Sequence, residues 1–163
     1  MDTRRILMYA LQREHEGKRF FEENAKRMSS AAAVGAFQRL AAEEEQHILF
    51  IEGQLKRLDD GQPMASEPPA ELGSGGLFAS RAASEKLEQT VDEAMVADLP
   101  VLRTAYLIER DFAEFYESAA RKATGAAKEM LSMLAAWERG HEKLFKDIHD
   151  KAFEEYMQMP WGG

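Results

Sequence analysis

Glu44 and His47 stand three residues apart in "LAAEEEQHILFIE" (residues 40–52), and the same Glu-x-x-His spacing returns at Glu138 and His141 in "AAWERGH". On a helix this spacing turns a carboxylate oxygen and an imidazole nitrogen to one face. Both pairs run in line with apolar residues. Heptad steps from Glu44 lead to Phe37, Ile51 and Leu58, and a step back from His47 leads to Leu40. Glu138 aligns with Leu131 and Phe145, and His141 with Leu134 and Ile148. Two further acids obey the same rule: Glu14 aligns with Leu7, Phe21 and Met28, and Glu109 with Leu102, Tyr116 and Ala123. Four carboxylates and two imidazoles are therefore expected on seams that face a core. A buried, unpaired carboxylate is costly, and several crowded in low dielectric repel one another. Two divalent cations match four negative charges, and carboxylate oxygens with imidazole nitrogens suit Fe, Mn or Zn. The expected chemistry is that of a two-metal centre.

The elements that must position these residues come in a repeated pair. "ALQREHEGKRFFEENAKR" (10–27) matches "AYLIERDFAEFYESAARK" (105–122), placing Glu14 over Glu109 and Phe20–Phe21 over Phe115–Tyr116. "AAEEEQHILF" (41–50) lies over "AAWERGHEKL" (135–144), placing Glu44 over Glu138 and His47 over His141. Helical periodicity predicts a first helix from about Thr3 to Met28, a turn in "MSSAAAVGA", and a second helix to about Leu58. "DDGQPMASEPPAELGSGG", rich in Pro, Gly and small polar residues, reads as a linker over 59–78. A lesser helix is expected near 80–97. Pro100 suits the first turn of a third helix reaching about Ala123, and "ATGA" forms a tight turn. A fourth helix runs from about Ala126 to Tyr156, and 158–163 is expected as a frayed tail. No segment alternates apolar and polar residues as a half-buried strand does, so the fold class is all-α. Two helical hairpins joined by a long crossover make a four-helix bundle. In each hairpin the two acids lie at similar distances from the turn, which sets all six donors at one level.

Bulk composition agrees with this architecture. The chain has 163 residues, 45% of them hydrophobic, which matches one domain with a sizeable core. A formal net charge of −8 argues against a general binder of nucleic acid or of anionic membranes. Without cysteine there are no disulfides, thiolate zinc sites or iron–sulfur clusters, which fits a reducing compartment. Charges interrupt the N-terminal stretch before a signal-peptide core forms, and no apolar run approaches membrane-spanning length. A cytoplasmic protein is expected, with neither membrane nor nucleic acid as partner.

Glu from two helices and Glu-x-x-His from two others is the arrangement of ferritin-like di-iron and di-manganese carboxylate bundles. The stretches "ALQREHEGKRFF", "AAEEEQH", "LIERDFAEFY" and "AWERGH" resemble the rubrerythrin branch of that superfamily, over nearly all the chain apart from the crossover and tail. The resemblance implies that Glu44 and Glu138 bridge two metals, that Glu14 with His47 completes one, and that Glu109 with His141 completes the other. Two departures stand out. The family's cysteine-rich electron-transfer domain has no counterpart in these residues, so electrons are expected from an external donor. The extra glutamate that rubrerythrins carry one turn after the third-helix ligand is Phe112 here, which puts redox-linked movement of a metal in doubt and brings the set closer to that of bacterioferritin.

Several neighbours are expected to be structural. Glu43 and Glu45 fall about 100° to either side of the seam, which favours solvated helix surface. His15 and His149 lack a Glu three residues earlier and are placed on the flank or surface. Glu16, Glu114 and Glu117 fit the inward faces less well. Tyr116, Phe21 and Trp137 read as core packing, and the methionines as core or adaptable filler. The resulting expectation is a di-iron oxidoreductase, of the peroxidase or oxidase kind, that reduces hydrogen peroxide or dioxygen and works as a homodimer or higher homo-oligomer. Ferroxidase or iron-storage activity is one alternative, and a bundle in which metal is only a structural staple is another.

Overall fold

The computed structural model of the chain describes residues 2–65 and 93–160. Four long helices carry the fold: α1 (Thr3–Ala25), α2 (Ala31–Asp59), α3 (Leu99–Lys122) and α4 (Gly125–Gln158), with a 3-10 turn over Glu93–Asp98 before α3. Among the described residues there is no strand. The side chain of Asp2 caps α1 by accepting the Arg5 N–H at 3.2 Å. Pro100 sits in the first turn of α3, where a missing N–H breaks no helical hydrogen bond. Gly125 opens α4 with a φ of 58°, in the left-handed region that glycine enters without a steric penalty.

α1 packs along α2 and α3 along α4, as the two expected hairpins. Aromatic contacts join the hairpins: Phe21 and Phe37 both meet Phe145, Tyr9 meets Phe115, and Phe50 meets Trp137. The apolar core falls into two clusters. One is built around Phe21, Phe37, Leu40, Leu102, Phe145 and Ile148, the other around Leu7, Ile51, Phe112, Tyr116, Leu131 and Leu134. Along each helix the six predicted donors lie between the two clusters, so a polar layer divides the core. The clusters also fix chain direction, because α2 ends against the second cluster and α3 begins against the first. The end of α2 and the start of α3 therefore lie at opposite ends of the bundle, the helix order of ferritin-like proteins.

Element ends differ from the sequence reading by a few residues, which is the usual fraying range. α1 stops at Ala25 instead of Met28, and α4 runs on to Gln158. The lesser helix expected near 80–97 lies mostly outside the described residues, and its described end, Glu93–Asp98, is 3-10. Most of the linker and residues 161–163 also lie outside them. Two side chains tie down the borders of the described chain. Gln54 is buried and holds Ala65 through both its amide oxygen (2.9 Å) and its amide nitrogen (3.3 Å). Asp98, also buried, accepts the N–H groups of Ser29 (3.0 Å) and Ser30 (3.4 Å) at the head of α2.

Candidate metal centre

Each helix delivers its share of the polar layer from the seam that faces the other three. Glu14 comes from α1, Glu44 and His47 from α2, Glu109 from α3, and Glu138 and His141 from α4. All four carboxylates are 0% exposed, and both imidazoles are buried. The Nδ1 atom of His47 lies 3.2 Å from Glu14, 3.4 Å from Glu44 and 3.1 Å from Glu138. Nδ1 of His141 lies 3.5 Å from Glu44, 3.5 Å from Glu109 and 3.4 Å from Glu138. One donor atom each from Glu14, Glu44, His47 and Glu138 fall within 4.8 Å of one another, and so do donors from Glu44, Glu109, Glu138 and His141. Glu44 and Glu138 belong to both groups, the positions two bridging carboxylates require.

Without a cation this layer is electrostatically unstable, and proton affinities move to compensate. Burial and the neighbouring carboxylates push Glu14 and Glu109 well above the usual carboxyl range. Burial opposes charge on Glu44 and Glu138 too, but the imidazoles beside them win and hold both carboxyls low, Glu138 at about 2. Burial disfavours imidazolium, yet the carboxylates facing His47 and His141 raise both well above the ordinary value. Even so, both oxygens of Glu44, Glu109 and Glu138, together with Nδ1 of His141, have no partner in hydrogen-bond geometry. Buried polar atoms are rarely left so. These atoms converge from α2, α3 and α4 beside Glu14 of α1, and the donor set fits two divalent cations.

The sequence matches the model of the rubrerythrin family over residues 5–149, which covers α2 and α3, most of α1 and α4, and every residue of the polar layer. The chain belongs to the rubrerythrin family. No curated protein and no solved structure matches it significantly.

In this chain, position 112 carries no carboxylate to the centre. The Phe112 ring packs against Gly17 of α1, and the Arg13 guanidinium lies 4.7 Å over it. One neighbour of the centre departs from the role its spacing predicts, and two core residues add a contact to theirs. Glu43, expected on solvated surface, is half-buried, and its Oε2 lies 2.8 Å from Nε2 of His141. Its flank position is turned toward α4, which a single-helix wheel does not reveal. Tyr116 is core packing as expected, but its hydroxyl also donates to Glu14. Burial and the Glu14 charge push the phenol well above its ordinary range, so it stays a donor. Trp137 lies flat over the His47 ring, with centroids 4.9 Å apart and planes 10° apart. The remaining candidates sit away from the centre. His15, Glu16 and Glu114 are exposed, Glu117 pairs with Arg139 at 2.8 Å, and His149 pairs with Asp150 at 3.1 Å. Among the described residues no helix is long and apolar enough to cross a membrane.

Proposed function

We propose that this rubrerythrin-family chain is a di-iron carboxylate oxidoreductase that reduces hydrogen peroxide or dioxygen with electrons from an external donor protein or small reductant. The observation that carries the reading is the set of buried carboxylate oxygens and one imidazole nitrogen, from α2, α3 and α4, left without hydrogen-bond partners. Glu44 and Glu138 would bridge, Glu14 with His47 would serve one ion, and Glu109 with His141 the other. Bound iron would supply reversible electron transfer to the oxidant, chemistry that no side chain of the layer offers by itself. The protein's part is to hold the donors in place, to keep bulk water out, and to accept and give up protons. Apolar clusters on both sides of the layer exclude water. The Tyr116 hydroxyl fixes one oxygen of Glu14, and Glu43 fixes the plane of the His141 ring. Protons held on Glu14 and Glu109 in the metal-free layer leave when cations replace them.

The test is to load the chain with iron, reduce it without air, mix it with peroxide or with dioxygen, and follow consumption of each oxidant. Repeated turnover with an added reductant is expected, with up to two irons per chain. Metal content unchanged in a Glu44→Ala/Glu138→Ala variant would count against the centre itself. A large assembly that mineralises far more iron would replace this reading with storage. Metal that stabilises the fold without consuming oxidant would leave only the structural staple.

A further inference from the structure

The hairpins repeat one another in sequence, yet the side chains behind the donors do not. Position 43 corresponds to position 137, and each touches the imidazole of the opposite hairpin. Glu43 places a carboxylate oxygen 2.8 Å from Nε2 of His141, whereas Trp137 lays an indole face over His47 at 4.9 Å. Position 116 corresponds to position 21. Tyr116 donates its hydroxyl to Glu14, whereas Phe21 stacks on Phe145 and has no hydroxyl to offer. Both oxygens of Glu109, the counterpart of Glu14, are unpartnered.

Both differences act in one direction. A carboxylate behind an imidazole holds the N–H on the far nitrogen, leaves the near lone pair facing the metal, and makes the ring a stronger donor. An indole face accepts no such proton. A phenol hydrogen on a carboxylate occupies one oxygen and withdraws charge from the other. We infer that the two halves of the centre are unequal: the half built from Glu109 and His141 takes the first divalent cation and holds it more tightly than the half built from Glu14 and His47, with Glu43 as the positioning residue. This rests on the two-metal reading above.

Stepwise titration of the metal-free full chain with Co(II), followed by calorimetry and visible absorption, tests the inference without any turnover. Two steps are expected, the first at least about tenfold tighter, and Glu43→Gln should weaken that step by about ten- to a hundredfold while sparing the other. At one equivalent, the proton spectrum should contain a hyperfine-shifted imidazole N–H that exchanges slowly with solvent because Glu43 holds it. A fast-exchanging N–H would place the ion at His47 and overturn the assignment. Tyr116→Phe gives an independent handle should Glu43→Gln not fold: it should tighten the second step and spare the first, and a second step that weakens or stays the same counts against the inference. Two steps of equal affinity in the parent chain, or an unchanged first step in Glu43→Gln, would overturn the inequality and leave the two-metal centre standing. Uptake of fewer than two ions would overturn both.

Discussion

Gly17 and Phe112 occupy equivalent positions in the two repeats and touch across the bundle. A Cβ on Gly17 would meet Cε2 of Phe112 at 3.0 Å and the carboxyl carbon of Glu44 at 3.8 Å. The ring fills the space that the glycine leaves, and Arg13 closes over its outer face. Gly17→Ala is therefore expected to forfeit the gain of roughly 1 kcal/mol that a helical Gly→Ala change normally brings, and to lower stability by crowding the ring. Gly53→Ala on α2 is the control, because nothing lies within 4 Å of its added methyl, and it should gain about 1 kcal/mol. Denaturant unfolding of both variants measures this, and equal gains would mean that the ring yields freely. At this scale the six donors are legible in sequence because heptad steps from each reach apolar residues that are themselves buried. Glu43 is not legible, since a flank position gains a partner only from the rotation of one hairpin against the other. Tyr116 is half legible: its seam predicts burial, but the reach of its hydroxyl to Glu14 depends on the spacing of α1 and α3.

The helices follow from apolar periodicity, and their turns from Pro100 and Gly125, which is why four elements and their order can be read directly. What holds the hairpins in register is less local. Ser30 begins α2 without a side-chain cap, and the acceptor for the Ser29 and Ser30 N–H groups is Asp98, sixty-eight residues beyond Ser30. Local cap rules look only a few residues away, so no sequence signal marks this contact. Asp98→Ala should leave two N–H groups without their acceptor and lower unfolding free energy by about 1–3 kcal/mol. Asp98→Asn, which keeps an acceptor oxygen, should recover part of that loss. Thermal melts decide the matter, and an unchanged midpoint in Asp98→Ala would mean that water satisfies both groups.

At the scale of the bundle, a polar layer divides two apolar clusters, and the metal-free fold must neutralise that layer with protons. Glu14, Glu109, His47 and His141 all bind protons more tightly in the folded chain than their ordinary values of 4.5 and 6.5 imply. For these groups the folded state holds more protons than the unfolded one, so their contribution is complete below those values and is lost as pH rises toward the folded ones. Glu44 and Glu138 have the opposite sign, and their contribution is lost as pH falls below 4.5. The metal-free protein should therefore be most stable under mildly acidic conditions, and its melting temperature should drop between about pH 6 and about pH 8. Divalent cations take the place of those protons, so loading at neutral pH should release up to four protons per chain, one from each raised group. Free metal a hundredfold above its dissociation constant adds about 2.7 kcal/mol per independent site, and the gain should grow with pH as proton competition fades. Melts with chelator and with Mn(II) at the two pH values, joined to proton release in weak buffer, test both halves. A metal-free melting temperature that is flat across this range, or metal stabilisation no larger at the higher pH, would mean that protons do not hold the empty layer together.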